Sequence, residues 1–285
     1  MKRKIIAYIV SVLAIGGLFT ATLFIDHRDY NMADKQQNIK RVVILGDSIM
    51  CNDIESESIS TLFEAQSGFE VEDLSVGGTC ATSLNKDGQI DYYMDMLNFL
   101  NITSFILTGN LSSIYDDSAT LEMNSPTCVL KMQAVVNDDF NDVDYLILNY
   151  GVNDALQGVL ARSDDPYDTD TFGGCMRKGI EEIHEKYPNL HIIVNGMNYY
   201  YDVRPNGRKA VFDAVNDGYL EAYNAEMAQI ASEYDNVFYF DIADKLKIDS
   251  SNASTYLCDG VHYSFEGKKL YVEYLIEFVN KQNEN

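Results

Sequence analysis

Basic residues are scarce in this sequence. Its 285 residues include 21 lysines and arginines against 44 aspartates and glutamates, which gives a formal net charge of −23. A chain this acidic repels phosphate backbones, so the composition argues against nucleic acid as a partner. Strongly anionic substrates are disfavoured for the same reason, and a neutral sugar ester fits the charge better than a phospholipid head group does.

Metal-binding patterns are also missing. The five cysteines include no Cys-x-x-Cys spacing, and no further carboxylate or histidine shares a local motif with Asp47 or Asp154. We therefore expect neither a metal nor an organic cofactor. Small buried thiols are the favoured interpretation of the cysteines, although a disulfide among Cys51, Cys80 and Cys258 stays open for a chain outside the cell.

Charge is absent from residues 5–25, which follow the basic segment Met1-Lys2-Arg3-Lys4. At about 1.5 Å per residue this span matches a hydrocarbon core of roughly 30 Å. The basic residues would stay in the cytoplasm and place the rest of the chain outside. We therefore predict a single-pass membrane helix in residues 1–25, a polar linker in 26–39 and one folded domain in 40–285. A cleaved signal segment and a secreted protein are the alternative, although no clear Ala-x-Ala cleavage pattern is present.

Short apolar runs alternate with segments long enough for helices, which predicts an α/β fold. The expected architecture is a three-layer α/β/α sandwich around a mostly parallel five-stranded, flavodoxin-like sheet. The five runs lie near residues 42–45, 71–74, 145–150, 191–194 and 237–240.

Two helices are indicated most clearly. After Arg208, apolar residues recur at steps of three and four and form one stripe, which is typical of a helix packed on a core. The last helix is expected to begin after Ser264, a good N-cap, with Glu266 in its first turn. The stripe contains Phe212, Val215, Tyr219, Tyr223, Met227, Ile230 and Tyr234.

Gly46-Asp47-Ser48 follows the first apolar run directly. A serine on a strand-to-helix turn projects its hydroxyl from the end of a sheet, near the positive end of the next helix. Both circumstances suit a nucleophile that attacks a carbonyl. The tripeptide alone is weak evidence, because Gly-Asp-Ser is also ordinary turn chemistry.

Two further motifs could supply its partners. Asp259-Gly260-Val261-His262 places a carboxylate three residues before a histidine, so a local bend could let Asp259 orient the imidazole and His262 deprotonate a serine. Gly151-Val152-Asn153-Asp154 follows the run 145–150, and the amide of Asn153 could face a developing negative charge.

These motifs, in this order, resemble those of the SGNH hydrolases, also called GDSL esterases and lipases. The first motif has isoleucine at position 49 where leucine is usual, and the motifs at 151–154 and 259–262 match fully. The family's single glycine between them corresponds best to Gly78, with Gly77 left open. The resemblance spans about residues 40–281, so the folded domain is expected to be an SGNH hydrolase domain.

The resemblance implies a role for each matched residue. Ser48 would be the nucleophile, His262 the base and Asp259 the acid that orients it. The oxyanion hole would combine the backbone N–H groups of Ser48 and Gly78 with the side chain of Asn153. Taken singly, each residue could instead be a helix cap or a turn former.

Four more residues are candidates for contact with substrate. Asp47 and Asp154 are members of these motifs and are expected to shape their loops as hydrogen-bond acceptors, or else to bind substrate. Tyr199 and Tyr200, with Tyr201, follow the run 191–194, and their rings could stack on sugars at the same edge of the sheet. Ordinary packing is the alternative for these tyrosines.

The sequence therefore predicts a membrane-anchored, extracytoplasmic serine esterase. Its partners would be an acylated carbohydrate or another small ester, with acetyl as the favoured acyl group, and the membrane through the N-terminal helix. An O-acyltransferase that uses the same acyl-enzyme is one alternative. A non-catalytic glycan-binding protein on a hydrolase scaffold is the other.

Overall fold

The computed structural model describes residues 39–51, 57–84, 94–111, 126–200 and 218–283. The predicted membrane helix and nearly all of the predicted linker lie outside these ranges. Within them, no helix combines the length and the apolar character that crossing a bilayer requires.

Five strands form one sheet in the order β2-β1-β3-β4-β5, and all of its pairings are parallel. This is the flavodoxin-like order, in which ligands bind beyond the carboxyl ends of the strands. The five predicted runs and the predicted parallel sheet are confirmed. The strands are β1 Arg41–Gly46, β2 Glu70–Asp73, β3 Tyr145–Asn149, β4 His191–Asn195 and β5 Val237–Phe240.

Both faces of the sheet are covered, which explains why its central strands are continuous apolar runs. In β1, Val43 and Leu45 pack into one core, whereas Val42 and Ile44 pack into the other. All four are at most 1% exposed. The alternation follows from the period of two along a strand, and it produces the three layers that the sequence predicted.

The helices divide between the two cores. Helices α2, α3, α4, α5 and α6 contribute to the core that contains Val43, and α1, α7, α8 and α9 to the core that contains Val42. The helices are α1 Ile59–Ser67, α2 Phe99–Thr108, α3 Pro126–Asn137, α4 Val152–Leu156, α5 Phe172–Lys186, α6 Tyr219–Ala231, α7 Ile242–Leu246, α8 Ala253–Tyr256 and α9 Phe265–Asn283.

The two helices predicted most clearly are present. The hydroxyl of Ser264 accepts a hydrogen bond from the amide of Gly267 (3.2 Å), so Ser264 caps α9 as predicted. In α6, Tyr223, Met227 and Ile230 are buried on the predicted stripe, whereas Tyr234 of that stripe lies beyond the end of the helix at Ala231. Phe212 and Val215 of that stripe lie outside the described residues.

Candidate active site

Ser48 lies in a tight turn directly after β1. The amide of Asp47 donates to the carbonyl of Asn149 (3.1 Å), and the amide of Cys51 closes the turn on the carbonyl of Asp47 (3.0 Å). Gly46 lets β1 and β3 approach here, because a Cβ at this position would lie 2.6 Å from the Asn149 carbonyl oxygen. Ser48 is therefore held at the carboxyl edge of the sheet and is partly exposed.

The loop before α9 is shaped by its own backbone. Asp259 Oδ1 accepts hydrogen bonds from the amides of Val261 (3.0 Å) and His262 (2.8 Å). The amide of Cys258 donates to the carbonyl of His262 (2.9 Å), and Gly260 takes a left-handed conformation with φ 91°. Glycine adopts this conformation without steric cost, so the loop can fold back on itself.

This loop brings together two residues that are 214 positions apart in the sequence. His262 Nε2 lies 2.9 Å from Ser48 Oγ, and His262 Nδ1 lies 2.6 Å from Asp259 Oδ2. With the ring proton on Nδ1, the imidazole donates to Asp259, and Nε2 accepts the hydrogen bond of the Ser48 hydroxyl. Such an array can remove the serine proton while the carboxylate stabilises the imidazolium.

Asp259 is held in its charged form. Partial burial raises the pKa of its carboxyl, but the hydrogen bonds from the amide and ring of His262 and from the amide of Val261 outweigh that effect. The net result is a lowered pKa, so the group stays ionised at neutral pH. About half of its side chain is exposed.

The loops after β2 and β3 are joined next to Ser48. Asn153 Nδ2 donates to the carbonyl of Thr79 (3.0 Å). The carboxylate of Asp154 accepts hydrogen bonds from the amides of Ala81 and Thr82 (both 2.9 Å) and from the Thr82 hydroxyl (2.7 Å). Asp154 therefore positions the loop after β2 against the start of α4, where Asn153 lies.

Two glycines in the loop after β2 lie near the reaction centre. A Cβ at Gly77 would lie 3.5 Å from Ser48 Cβ, so the backbone of Gly77 packs directly against the serine. Gly78 has a φ of 84°, a conformation that favours glycine. Both candidate glycines therefore lie in the loop after β2 that packs against Ser48.

The substrate-binding assignments need correction. Asp47 and Asp154 are completely buried, so neither carboxylate can touch a substrate, and both shape loops instead. Tyr199 is 8% exposed and Tyr200 is 1% exposed, which leaves no ring face for stacking on a sugar. Tyr199 packs in the core that contains Val42, and Tyr200 packs in the core that contains Val43. Tyr201 lies outside the described residues.

The sequence did not predict a buried polar network that begins at Asp47, next to Ser48. Asn149 Nδ2 donates to Asp47 Oδ1 (3.3 Å), Asn195 Nδ2 donates to Asn149 Oδ1 (3.2 Å), and Asn195 Nδ2 also donates to the Tyr271 hydroxyl. Asn149 and Asn195 each end an apolar strand, and that position was the available signal. The network connects Asp47, the residue before Ser48, to the ends of β3 and β4 and to Tyr271 of α9.

Asp47 carries the main energetic cost of this network. Burial raises the pKa of its carboxyl to about 7, opposed by the hydrogen bond from the Ile49 amide, and the nearby Asp154 raises it further. Its Oδ2 atom is buried and has no hydrogen-bond partner among the residues that the structure describes. Ionising Asp47 therefore places a poorly compensated charge in the protein interior.

We expect Asp47→Asn to change how stability depends on pH. Below about pH 4 Asp47 is protonated in both the folded and the unfolded state, so its contribution to stability is fully present. Between about pH 4 and 7 only the unfolded state releases its proton, so wild-type stability falls, in total by roughly 4 kcal/mol. The neutral asparagine lacks this fall. The free energy of unfolding of the variant should therefore increase relative to that of wild type as pH rises through that window.

Urea unfolding at about pH 4, 5.5 and 7.5 measures this effect. Asp235→Asn, which changes an exposed aspartate before β5, serves as the matched control and should keep the wild-type pH dependence. Parallel pH curves for Asp47→Asn and wild type would show that Asp47 is not held protonated by burial.

The sequence left a disulfide open for three of the cysteines and indicated no metal site. Among the described residues, no group of three or more histidine, cysteine, aspartate or glutamate side chains could hold a metal ion. Cys51, Cys80 and Cys258 are free thiols, so the disulfide left open for them is absent from this structure.

The range that matches a known protein family includes every motif residue of this site. A model of the GDSL-like lipase/acylhydrolase family matches residues 44–270. No curated protein sequence matches the chain. A solved structure from Lactobacillus plantarum shares the fold with a TM-score of 0.57 at 19% identity, over 85% of this chain and 97% of its own. A carbohydrate acetylesterase of Sinorhizobium meliloti has a TM-score of 0.53 at 13% identity, over 85% of this chain and 99% of its own.

Proposed function

Because the chain belongs to the GDSL-like lipase/acylhydrolase family and is an ester hydrolase of the SGNH type, we propose that Ser48, His262 and Asp259 form its catalytic triad. The observation that carries this proposal is the continuous hydrogen-bonded array Ser48 Oγ–His262 Nε2 and His262 Nδ1–Asp259 Oδ2, at 2.9 and 2.6 Å. Both distances are within the reach required of a nucleophile and its base.

The reaction proceeds in two steps, the formation and the hydrolysis of an acyl-enzyme. In the first, Ser48 Oγ bonds to the ester carbonyl carbon while its proton passes to His262 Nε2. The tetrahedral intermediate then collapses, the alcohol leaves with that proton, and an acyl-enzyme remains. In the second, His262 takes a proton from water, the hydroxide adds to the acyl carbon, and Ser48 recovers the proton as the carboxylic acid leaves.

The negative charge of each intermediate rests on an oxyanion hole. We assign to it the backbone N–H groups of Ser48 and Gly78 and the side chain of Asn153. The support is positional, because the loops that carry Gly78 and Asn153 are bonded to each other beside Ser48. Donors fixed before the reaction need no reorganisation when charge develops, which is why such sites accelerate acyl transfer.

The proposed substrate is an acyl ester, with acetyl favoured, on a carbohydrate or cell-envelope polymer. Two observations support it. The net charge of −23 disfavours strongly anionic substrates. The fold is shared with a protein that acts as a carbohydrate acetylesterase, although identity to it is 13%.

We also propose that the domain works outside the cytoplasm. The support comes from the sequence of residues 1–25, where a basic segment precedes 21 uncharged residues. A retained anchor would hold the enzyme at the membrane surface, and a cleaved one would release it. N-terminal sequencing of the protein recovered from its host distinguishes these two outcomes.

The assay that tests the reaction supplies p-nitrophenyl acetate to the full-length chain, with and without neutral sugar acceptors. We expect one acetate for each p-nitrophenol in both conditions, and labelling of Ser48 by a fluorophosphonate probe. Acetyl sugar formed in place of acetate would identify an acyltransferase. The absence of both p-nitrophenol release and Ser48 labelling would refute the esterase.

A further inference from the structure

A tight turn in the loop after β2 carries Gly78, one of the proposed oxyanion donors. The amide of Thr79 donates to the carbonyl of Val76 (3.4 Å) and closes the turn over residues 76–79. Gly78 is the third residue of this turn, and its φ of 84° matches that position in a type II turn. The direction of the Gly78 N–H therefore depends on how the turn is held.

The side chain of Thr79 joins this turn to the end of β1. Its hydroxyl oxygen lies 2.9 Å from the carbonyl oxygen of Val76 and 3.2 Å from that of Gly46, so the two carbonyls share one hydroxyl hydrogen. The Gly46 carbonyl also accepts from the amide of Val76 (2.9 Å). Both ends of the turn are thus bonded to the residue two positions before Ser48.

The main chain of Thr79 holds the third proposed donor. Its carbonyl accepts a hydrogen bond from Asn153 Nδ2 (3.0 Å). The nitrogen of a side-chain amide carries two hydrogens. Because one of them is directed at Thr79, the direction of the other one, which is the one available to an oxyanion, is fixed as well.

Thr79 is completely buried and cannot touch a substrate. It nevertheless contacts the carrier of every proposed oxyanion donor: β1 ahead of Ser48 through its hydroxyl, Gly78 as its chain neighbour, and Asn153 through its carbonyl. Donors accelerate acyl transfer only when they are fixed where the negative charge develops. One buried residue therefore sets the relative position of three loops.

We propose that Thr79 is a positioning residue whose hydroxyl sets the geometry of the oxyanion hole. The inference rests on the proposed esterase function and adds to it a residue that acts through the donors rather than on the substrate. The hydroxyl is the decisive group, because it is the only part of the side chain that can bond to the Val76 and Gly46 carbonyls.

Thr79→Val in the full-length chain removes the hydroxyl and keeps the branched shape. The carbonyls of Val76 and Gly46 each retain a backbone amide donor, so the exchange leaves neither of them unpaired. A displacement of catalytic groups by about 1 Å costs roughly 100-fold in rate. We expect kcat for p-nitrophenyl acetate to fall by about 100-fold, while KM changes by less than about threefold.

Two variants serve as controls. Thr79→Ser returns the hydroxyl without the methyl group and should recover kcat to within about fivefold of wild type. Thr103→Val makes the same exchange at an equally buried threonine of α2, whose hydroxyl has no hydrogen-bond partner in the described part of the chain. It should leave kcat at the wild-type value.

Two further measurements distinguish positioning from general damage to the site. The acid limb of the pH profile of kcat/KM reports the base, His262, so its midpoint should be the same in Thr79→Val and wild type. Phosphonylation of Ser48 also develops negative charge on an oxygen in the hole. The rate of labelling by a fluorophosphonate should therefore fall together with kcat.

The outcomes separate the role of Thr79 from the esterase function. Wild-type kcat in Thr79→Val refutes the positioning role and keeps the esterase. Equal losses in Thr79→Val and Thr79→Ser, or a shifted pH midpoint, also refute the positioning role, because the hydroxyl is then not the group that matters. No hydrolysis by the wild-type chain together with an unlabelled Ser48 refutes the esterase, and with it the role of Thr79.

Discussion

Ser48→Ala is expected to lower kcat for ester hydrolysis by roughly 10,000- to 1,000,000-fold. The alanine leaves no atom that can bond to the carbonyl carbon, so no acyl-enzyme forms. The remaining activity comes from the oxyanion hole and from substrate binding. Stability should change little, because Ser48 is partly exposed and the turn is closed by backbone bonds of Asp47.

Steady-state hydrolysis of p-nitrophenyl acetate measures this loss. Ser232→Ala, at an exposed serine between α6 and β5, is the matched control and should retain wild-type kcat. A melting temperature within about 2 °C of wild type would show that the loss is chemical rather than structural. Full activity in Ser48→Ala would overturn the nucleophile assignment.

Asp259→Asn should also produce a very large loss, roughly 10,000-fold in kcat. The asparagine side chain retains an oxygen for the backbone bonds that shape the loop. Its NH₂ group, however, donates where the carboxylate accepted, so the proton on His262 moves from Nδ1 to Nε2. The imidazole then has no lone pair facing Ser48 and cannot act as the base.

The matched control is a variant of Asp249, which forms a similar turn. Asp249 Oδ1 accepts from the amide of Ser251 (2.7 Å), just as Asp259 Oδ1 accepts from the amide of Val261. Asp249→Asn should therefore perturb a turn of the same kind while kcat stays at the wild-type value. Equal losses in the two variants would mean that Asp259 acts only by shaping its loop.

Much of the fold followed from local patterns. A strand buried on both faces must be apolar along its length, so the runs at β1, β3 and β4 were visible as strands without any tertiary information. Ser264 likewise marked the start of α9, because capping is a local interaction between a side chain and the next turn. Ser48 and Asn153 could be chosen because each follows a predicted strand, whereas Asp259 and His262 were chosen from their spacing and from the resemblance of the motifs to those of the SGNH hydrolases.

Burial was harder to read from the sequence. Asp47 and Asp154 belong to the motifs, and the sequence favoured loop shaping by their carboxylates but left contact with substrate open. Both are fully buried because their partners come from segments distant in sequence, Asn149 for Asp47 and the amides of Ala81 and Thr82 for Asp154. The tyrosines after β4 were open to two interpretations in the same way, since a tyrosine ring suits either a sugar or a core.

The sequence by itself determined the parallel α/β framework and the residue types that could carry acyl chemistry, because periodicity, capping and turn chemistry act between near neighbours. Only the tertiary structure decided that Ser48 and His262 lie 2.9 Å apart, and that Asp47, Asp154 and Tyr200 are enclosed. Those properties depend on how distant loops pack at one edge of the sheet, and packing between distant segments leaves no period or spacing in the chain.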